Sequence, residues 1–149
     1  MSVTGFLTRE LREAGERVGF ALETLDGRRG MLAHVGIRGG VRVGRYGVVL
    51  DDLESLAIPA LRADADLVVA DELGKMELAS EPFRDAVTAL FERPVAVVAT
   101  VHTHAHPFTD DLKGRPSVTV RRLTRANRDD LPAQIASSLL SRGGANSSR

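Results

Sequence analysis

Two adjacent carboxylates, Asp71 and Glu72, directly follow the aliphatic run Leu67-Val68-Val69-Ala70. A continuous apolar run suits a strand buried on both faces of a parallel sheet. Ligands of open α/β sheets bind at the carboxyl ends of such strands. Paired acids there fit phosphoryl transfer, which needs a carboxylate near Mg²⁺ and a group that positions or deprotonates the nucleophile. Asp71 would hold the metal, directly or through a water, and Glu72 would act as general base. The competing reading is a solvated Asp-Glu pair that merely ends a strand, since short motifs also match by chance. Thr100, near the end of a second apolar run over residues 94–101, would orient a water or touch the γ-phosphate, unless it is only structural.

The other concentration of chemistry is His102-Thr103-His104-Ala105-His106. Imidazoles two apart after a strand are similar to the metal-binding starts of amidohydrolases and metallo-β-lactamase-like enzymes, and could share one ion. Pro107 stands where the latter pattern requires an Asp-His pair, and His34 is the only other histidine. A solvated loop over the nucleotide site is therefore the reading adopted, with a His-cluster metal hydrolase as a minor alternative. Arg9, Arg12, Arg42, Arg45, Arg125 and Arg128 are candidates for phosphate or base contacts, because guanidinium matches phosphate bidentately and stacks on bases. Asn127 offers a donor and an acceptor to a base edge or, equally, a cap for the last helix.

These groups must be positioned by a small fold. The chain has 149 residues, 43% of them hydrophobic, with 20 acids balancing 20 bases. That is one ordinary domain with a real core. Zero net charge gives no global pull toward nucleic acid or anionic membrane. The absence of cysteine excludes disulfides and Cys-based zinc. No signal-peptide pattern opens the chain, and no apolar run reaches the ~20 residues of a membrane helix. A cytoplasmic protein is expected.

The first third is strand-like: residues 3–8, 17–25 and 30–35, with Asp26-Gly27 as a hairpin turn. Residues 36–47 are glycine-rich and read as a loop or irregular hairpin. Asp51 would cap a helix to about Ala63, kinked at Pro59. Ser80 would cap the next, with Pro82 in its first turn and Phe83, Val87, Leu90 and Phe91 as its stripe. Buried strands over residues 94–101 and 117–123 and a helix over 127–140 follow, with a disordered tail over 143–149. The alternation argues for an α/β layered fold with a parallel sheet.

Asp71-Glu72-Leu73-Gly74-Lys75-Met76-Glu77-Leu78 resembles the Walker B signature of the thermophile-type nucleoside-triphosphatase family, which includes the human cancer-related nucleoside-triphosphatase. Further blocks agree in order. Gly5-Phe6-Leu7-Thr8-Arg9-Glu10-Leu11-Arg12, with Gly15, Arg17, Gly19 and Phe20, is similar to the family's first hairpin. Val43-Gly44-Arg45-Tyr46-Gly47-Val48 and Ala57-Ile58-Pro59-Ala60-Leu61 resemble its middle, and Leu123-Thr124-Arg125-Ala126-Asn127-Arg128-Asp129 its closing motif. The resemblance implies a RecA-like P-loop fold, with helices on both faces of a parallel sheet and an N-terminal β-hairpin region. It also implies Mg²⁺ dependence and hydrolysis of ATP, GTP and other nucleoside triphosphates to diphosphate and phosphate. Asp71 and Glu72 fall on the Walker B pair; Thr100, Arg125, Asn127 and Arg128 are carried as nucleotide-binding candidates. Lys75 and Glu77 have no firm role beyond a charge pair closing the turn, and Arg9 and Arg12 stay candidates of uncertain role.

One departure matters. The phosphate cradle G-x-x-x-x-G-K-[ST] does not occur in these 149 residues, whose two lysines are Lys75 and Lys113. In the family the cradle precedes the Gly-Phe-x-Thr block, so a strand, loop and helix of about 30 residues would be absent. Truncation of a nucleoside-triphosphatase over residues 1–142 is the expectation; a non-catalytic nucleotide-binding or protein-interaction remnant is the alternative. Either way the given chain is expected to hydrolyse little, and the loss of an interior strand to leave an apolar sheet edge.

Overall fold

The computed structural model describes residues 1–146, the last four by backbone alone. The chain forms two compact units, Met1–Leu112 and Lys113–Arg149, where composition suggested one domain.

The first unit is built on a mixed sheet. β1 (Val3–Glu13), β2 (Glu16–Thr24) and β3 (Arg29–His34) form antiparallel hairpins. β4 (Arg42–Val43) and β5 (Tyr46–Val48) extend them. β6 (Leu67–Leu73) and β7 (Ala96–Val101) are parallel to β1, giving the order β4-β5-β3-β2-β1-β6-β7. The expected parallel sheet is thus the β1-β6-β7 portion, and the expected hairpin region is its antiparallel continuation. The glycine-rich segment is the irregular hairpin β4–β5, too short to show a period in sequence.

β1 is longer than its apolar core suggested, because β2 pairs with it as far as Glu13↔Glu16. Gly5 makes the β1–β6 contact possible: its φ is +130°, and a Cβ would lie 1.9 Å from the Val69 carbonyl oxygen. No other residue type avoids that clash.

Helices α1 (Leu50–Arg62) and α2 (Glu81–Glu92) pack against each other and α1 covers β1, β2 and β3. Asp51 does not cap α1: the N-cap is Val49, without a side-chain bond. The neighbouring Asp52 carboxylate instead accepts the Met31 N–H at 2.8 Å, tying the helix start to β3. Pro59 lies inside α1 as expected. Ser80 caps α2, accepting the Phe83 N–H at 3.1 Å. Phe83, Val87 and Leu90 are fully buried, and Phe83 meets Phe6 edge to face at 5.8 Å. Each such side chain contributes roughly 1.5–3 kcal/mol by leaving water.

β7 departs from expectation. It is an edge strand, and every residue from 95 to 99 is only half-buried. After it comes α3 (Pro107–Lys113).

In the second unit, residues 117–123 form no strand, and Val120 and Leu123 are exposed. Their β-branched composition is overridden because no neighbouring strand pairs with them among the described residues. α4 (Leu131–Asn146) starts later than expected and runs four residues into the segment read as a tail; residues 147–149 lie outside the described residues. No helix among the described residues is long and apolar enough to cross a membrane.

Candidate functional site

The β6–β7 ladder is regular through Ala70↔Ala99 and resumes at Leu73↔Val101. Three steps along β6 thus oppose two along β7, so β6 carries a one-residue bulge at Asp71-Glu72. Bulges re-aim side chains and recur beside active sites. Here the two carboxylates diverge.

Asp71 turns to β7. The Thr100 hydroxyl donates to its Oδ1 at 2.6 Å. This brings Thr100 to the carboxylate expected to hold the metal. Glu72 turns instead to a cleft of 220 Å³ floored by Phe20, Leu32, Val43 and Met76. Thr8, Glu77, His102 and His104 also line it. Partial desolvation, and then the Asp71 charge, push the Glu72 pKa up. Both act in the direction a general base working near neutrality requires.

Glu77 was expected to form a charge pair with Lys75. The structure shows otherwise. Glu77 is 3% exposed and its Oε2 accepts the Gly74 N–H at 3.1 Å, while Lys75 is exposed and lines the cleft. The physical reason is the single 3₁₀ turn Glu77–Ala79, which folds position 77 back under the end of β6. Burial, with the Glu72 and Asp71 charges nearby, pushes the Glu77 carboxyl up to about 7. Gly74 separates the two glutamates: a Cβ there would lie 3.0 Å from Glu72 Oε1 and 3.1 Å from Glu77 Oε2.

The histidines gather loosely. His102 faces His104 and His106 at ring distances of 5.7 and 6.1 Å, and its Nε2 lies 3.3 Å from the Thr109 hydroxyl. His106 Nδ1 accepts the Phe108 N–H at 3.1 Å. Among the described residues no group of three or more His, Asp or Glu side chains is placed to hold a metal ion.

The arginines divide. Arg9 pairs with Glu23 at 3.2 Å and Arg12 with Glu10 at 3.0 Å, along the solvent side of the β1–β2 hairpin. Arg42 donates to the Ile37 and Arg45 carbonyls, both at 2.8 Å, and braces the β4–β5 turn. The Arg45 guanidinium lies 5.4 Å from the Tyr46 ring centroid, and Tyr46 meets Phe20 edge to face. Arg125, Asn127 and Arg128 belong to the second unit. There Asn127 closes its own turn: Oδ1 accepts the Thr124 N–H at 2.7 Å and Nδ2 donates to the Arg122 carbonyl at 2.8 Å. Arg128 approaches Asp129 at 4.0 Å.

The structure thus joins Asp71, Glu72 and Thr100, and adds Glu77, Thr8 and Phe20 beside them. Thr8 and Phe20 are more than fifty residues from Glu72 in sequence. Only strand pairing brings them together, and no local signal announces it.

A family profile described as NTPase matches residues 1–136. The chain belongs to this NTPase family. It is 41% identical over 134 residues to the nucleoside-triphosphatase THEP1 of Thermotoga petrophila, an alignment covering 88% of this chain and 75% of that protein. It is 37% identical over 151 residues to the mouse cancer-related nucleoside-triphosphatase homolog, covering 91% and 80%. Its fold is similar to the crystal structure of THEP1 from Aquifex aeolicus, with a TM-score of 0.84 at 35% identity over 93% of this chain and 84% of that one. It is similar also to the solution structure of a human cancer-related nucleoside triphosphatase, with a TM-score of 0.79 at 35% identity over 93% and 82%. The α/β fold read from the sequence is therefore that of this family.

Proposed function

We propose that the chain carries the nucleophile-activating and metal-holding part of a Mg²⁺-dependent hydrolase of nucleoside triphosphates. The observation that carries this is the divergence of Asp71 and Glu72 at the β6 bulge, with the Thr100 hydroxyl on Asp71. Mg²⁺ is held by one or two carboxylates plus phosphates and waters rather than by an all-protein cage. The Asp71 carboxylate beside the Thr100 hydroxyl is a hard-oxygen set of that kind, and the ion would neutralise charge on the β- and γ-phosphates there. Glu72 takes the proton of a water as its oxygen bonds to the γ-phosphorus. The bond from that phosphorus to the β–γ bridging oxygen breaks, and the diphosphate leaves with the electron pair. Thr100 keeps Asp71 turned away from Glu72, so the two acids do not compete for one proton.

The names of the relatives support triphosphates as substrates. The absence of a G-x-x-x-x-G-K-[ST] cradle from these 149 residues favours one second reading, a non-catalytic nucleotide-binding or interaction protein.

Phosphate release from ATP and Mg²⁺ separates the two. We expect little from the 149-residue chain, and clear turnover once a strand, a loop ending in Gly-Lys-Thr and a helix are joined upstream. In that extended protein Asp71→Ala abolishes turnover and Glu72→Gln holds nucleotide without cleaving it. Normal turnover by Glu72→Gln would remove Glu72 from the role of base.

A further inference from the structure

The side of Glu72 turned away from Asp71 holds more room than hydrolysis uses. Activating one water requires a site for one water. The cleft that Glu72 lines has a volume of 220 Å³, roughly seven waters' worth at ~30 Å³ each. Its floor is Phe20, Leu32, Val43 and Met76, which offers water almost no hydrogen-bond partner. A concave apolar floor with a few convergent polar groups is the make-up of a small-molecule site.

The polar groups converge on one end. Glu72 Oε1 and Glu77 Oε2 lie within 3.0 and 3.1 Å of one point, the Cβ position that Gly74 leaves empty. Glu77 is almost fully buried there. Thr8 and His102 add a hydroxyl and an imidazole to the same lining. On the floor Phe20 meets Tyr46 edge to face at 5.4 Å, and the Arg17 guanidinium lies 5.6 Å from its centroid. Lys75 also lines the cleft, so two carboxyl groups stand there against one ammonium group, and the acidic excess disfavours an anionic occupant. Accepting groups beside a proton acceptor, facing an apolar wall, suit a hydroxyl on a body with one apolar face.

We infer that this cleft is an acceptor site, and that the protein transfers the γ-phosphoryl group to a compact uncharged alcohol with an apolar face as well as to water. The inference rests on the role of Glu72 proposed above. The acceptor hydroxyl gives its proton to Glu72 and its oxygen bonds to the γ-phosphorus. The bond to the β–γ bridging oxygen breaks, and the diphosphate leaves with that electron pair. The product is a phosphate monoester. With the cleft empty, water takes the acceptor's place.

Two measurements test this, and they fail separately. The first needs no catalysis. Thymidine, ribose and the anionic alcohol glycerate are titrated into the ¹⁵N-labelled 149-residue chain. Saturable amide shifts clustered at Thr8, Phe20 and Gly74 are expected with thymidine, weaker ones with ribose and none with glycerate. Phe20→Ala abolishes the thymidine shifts at Thr8 and Gly74. Absent or scattered shifts overturn the acceptor site whatever the enzyme hydrolyses. The second measurement follows ATP consumption by the loop-bearing extended protein with thymidine present, using ³¹P NMR. A new monoester signal is expected, and Phe20→Ala should lower the ratio of ester to inorganic phosphate about tenfold or more, as loss of a buried aromatic contact implies. Phosphate release without any ester overturns the inference and leaves the hydrolase reading standing. No release at all overturns the hydrolase reading, and the NMR titration still decides the cleft.

Discussion

Thr100 on β7 reaches across the sheet to Asp71 on β6, its hydroxyl donating to Oδ1 at 2.6 Å. The contact sits where the β6 ladder slips by one residue, so it fixes which way the bulged carboxylate faces. A hydrogen bond to a charged group contributes about 1.5–3 kcal/mol when sheltered, and less here because Thr100 is exposed. Thr100→Val keeps the shape and removes the donor. We expect the Mg²⁺ concentration for half-maximal phosphate release by the extended protein to rise about tenfold, and Thr100→Ser to restore it. An unchanged Mg²⁺ response would leave Thr100 a strand residue only.

Gly74 sets the spacing of the two glutamates. Its added Cβ would stand 3.0 Å from Glu72 Oε1 and 3.1 Å from Glu77 Oε2. Both are ends of flexible side chains, so Gly74→Ala should fold and displace them by tenths of an ångström. Catalytic geometry tolerates little of that. We expect kcat to drop by about tenfold with the thermal midpoint nearly unchanged. Equal losses in midpoint and kcat would mean that Gly74 serves the fold and not the base.

Much of this arrangement was legible in the sequence. Leu67-Val68-Val69-Ala70 announced a strand and Ser80 a helix cap. Each is a local pattern with a local cause. Residues 94–101 misled because an apolar run reports hydrophobicity but not the number of neighbouring strands, and among the described residues β7 pairs with β6 alone. Residues 117–123 misled likewise, as strand composition without a partner to pair with. Glu77 read as half of a charge pair closing the turn, and one 3₁₀ turn buries it instead. Phe20 and Thr8 reach the Glu72 cleft only through the β1–β2 and β1–β6 registers, which no stretch of sequence encodes locally.

The buried Glu77 carboxyl makes stability depend on pH. Its folded pKa is raised from 4.5 to about 7, chiefly by burial. Between those values the folded state binds more proton than the unfolded one, so stability falls as pH rises. The contribution is fully present below 4.5 and is lost as pH climbs through about 7. We expect the thermal midpoint of the 149-residue chain to drop between pH 5.5 and pH 8.5, and Glu77→Gln, which stays neutral and can still accept from Gly74, to flatten that drop. A wild-type midpoint equal at both pH values would show that Glu77 is ionised at no cost.

The last expectation concerns the open side of β7. Val95, Val97, Ala99 and Val101 pack against the core, so Val98 between them points to the other face. The strand pairs with β6 and with no second strand among the described residues. Its backbone donors and acceptors on that side form a row, flanked by half-exposed β-branched residues and no charge from 94 to 99. Such an edge is a template for pairing with another chain. We expect the 149-residue protein to associate as its concentration rises, seen by light scattering. Val98→Lys should suppress this by setting a charge on the face that two copies would bring together. A strand joined upstream that could occupy the edge should suppress it more. Burying an edge strand also adds core contacts, and a domain is stable by only ~5–15 kcal/mol, so the extended protein should melt higher as well. A wild-type chain that stays monomeric, with one cooperative transition well above ~50 °C, would show that the β7 edge needs no partner and that the first unit is stable as it stands.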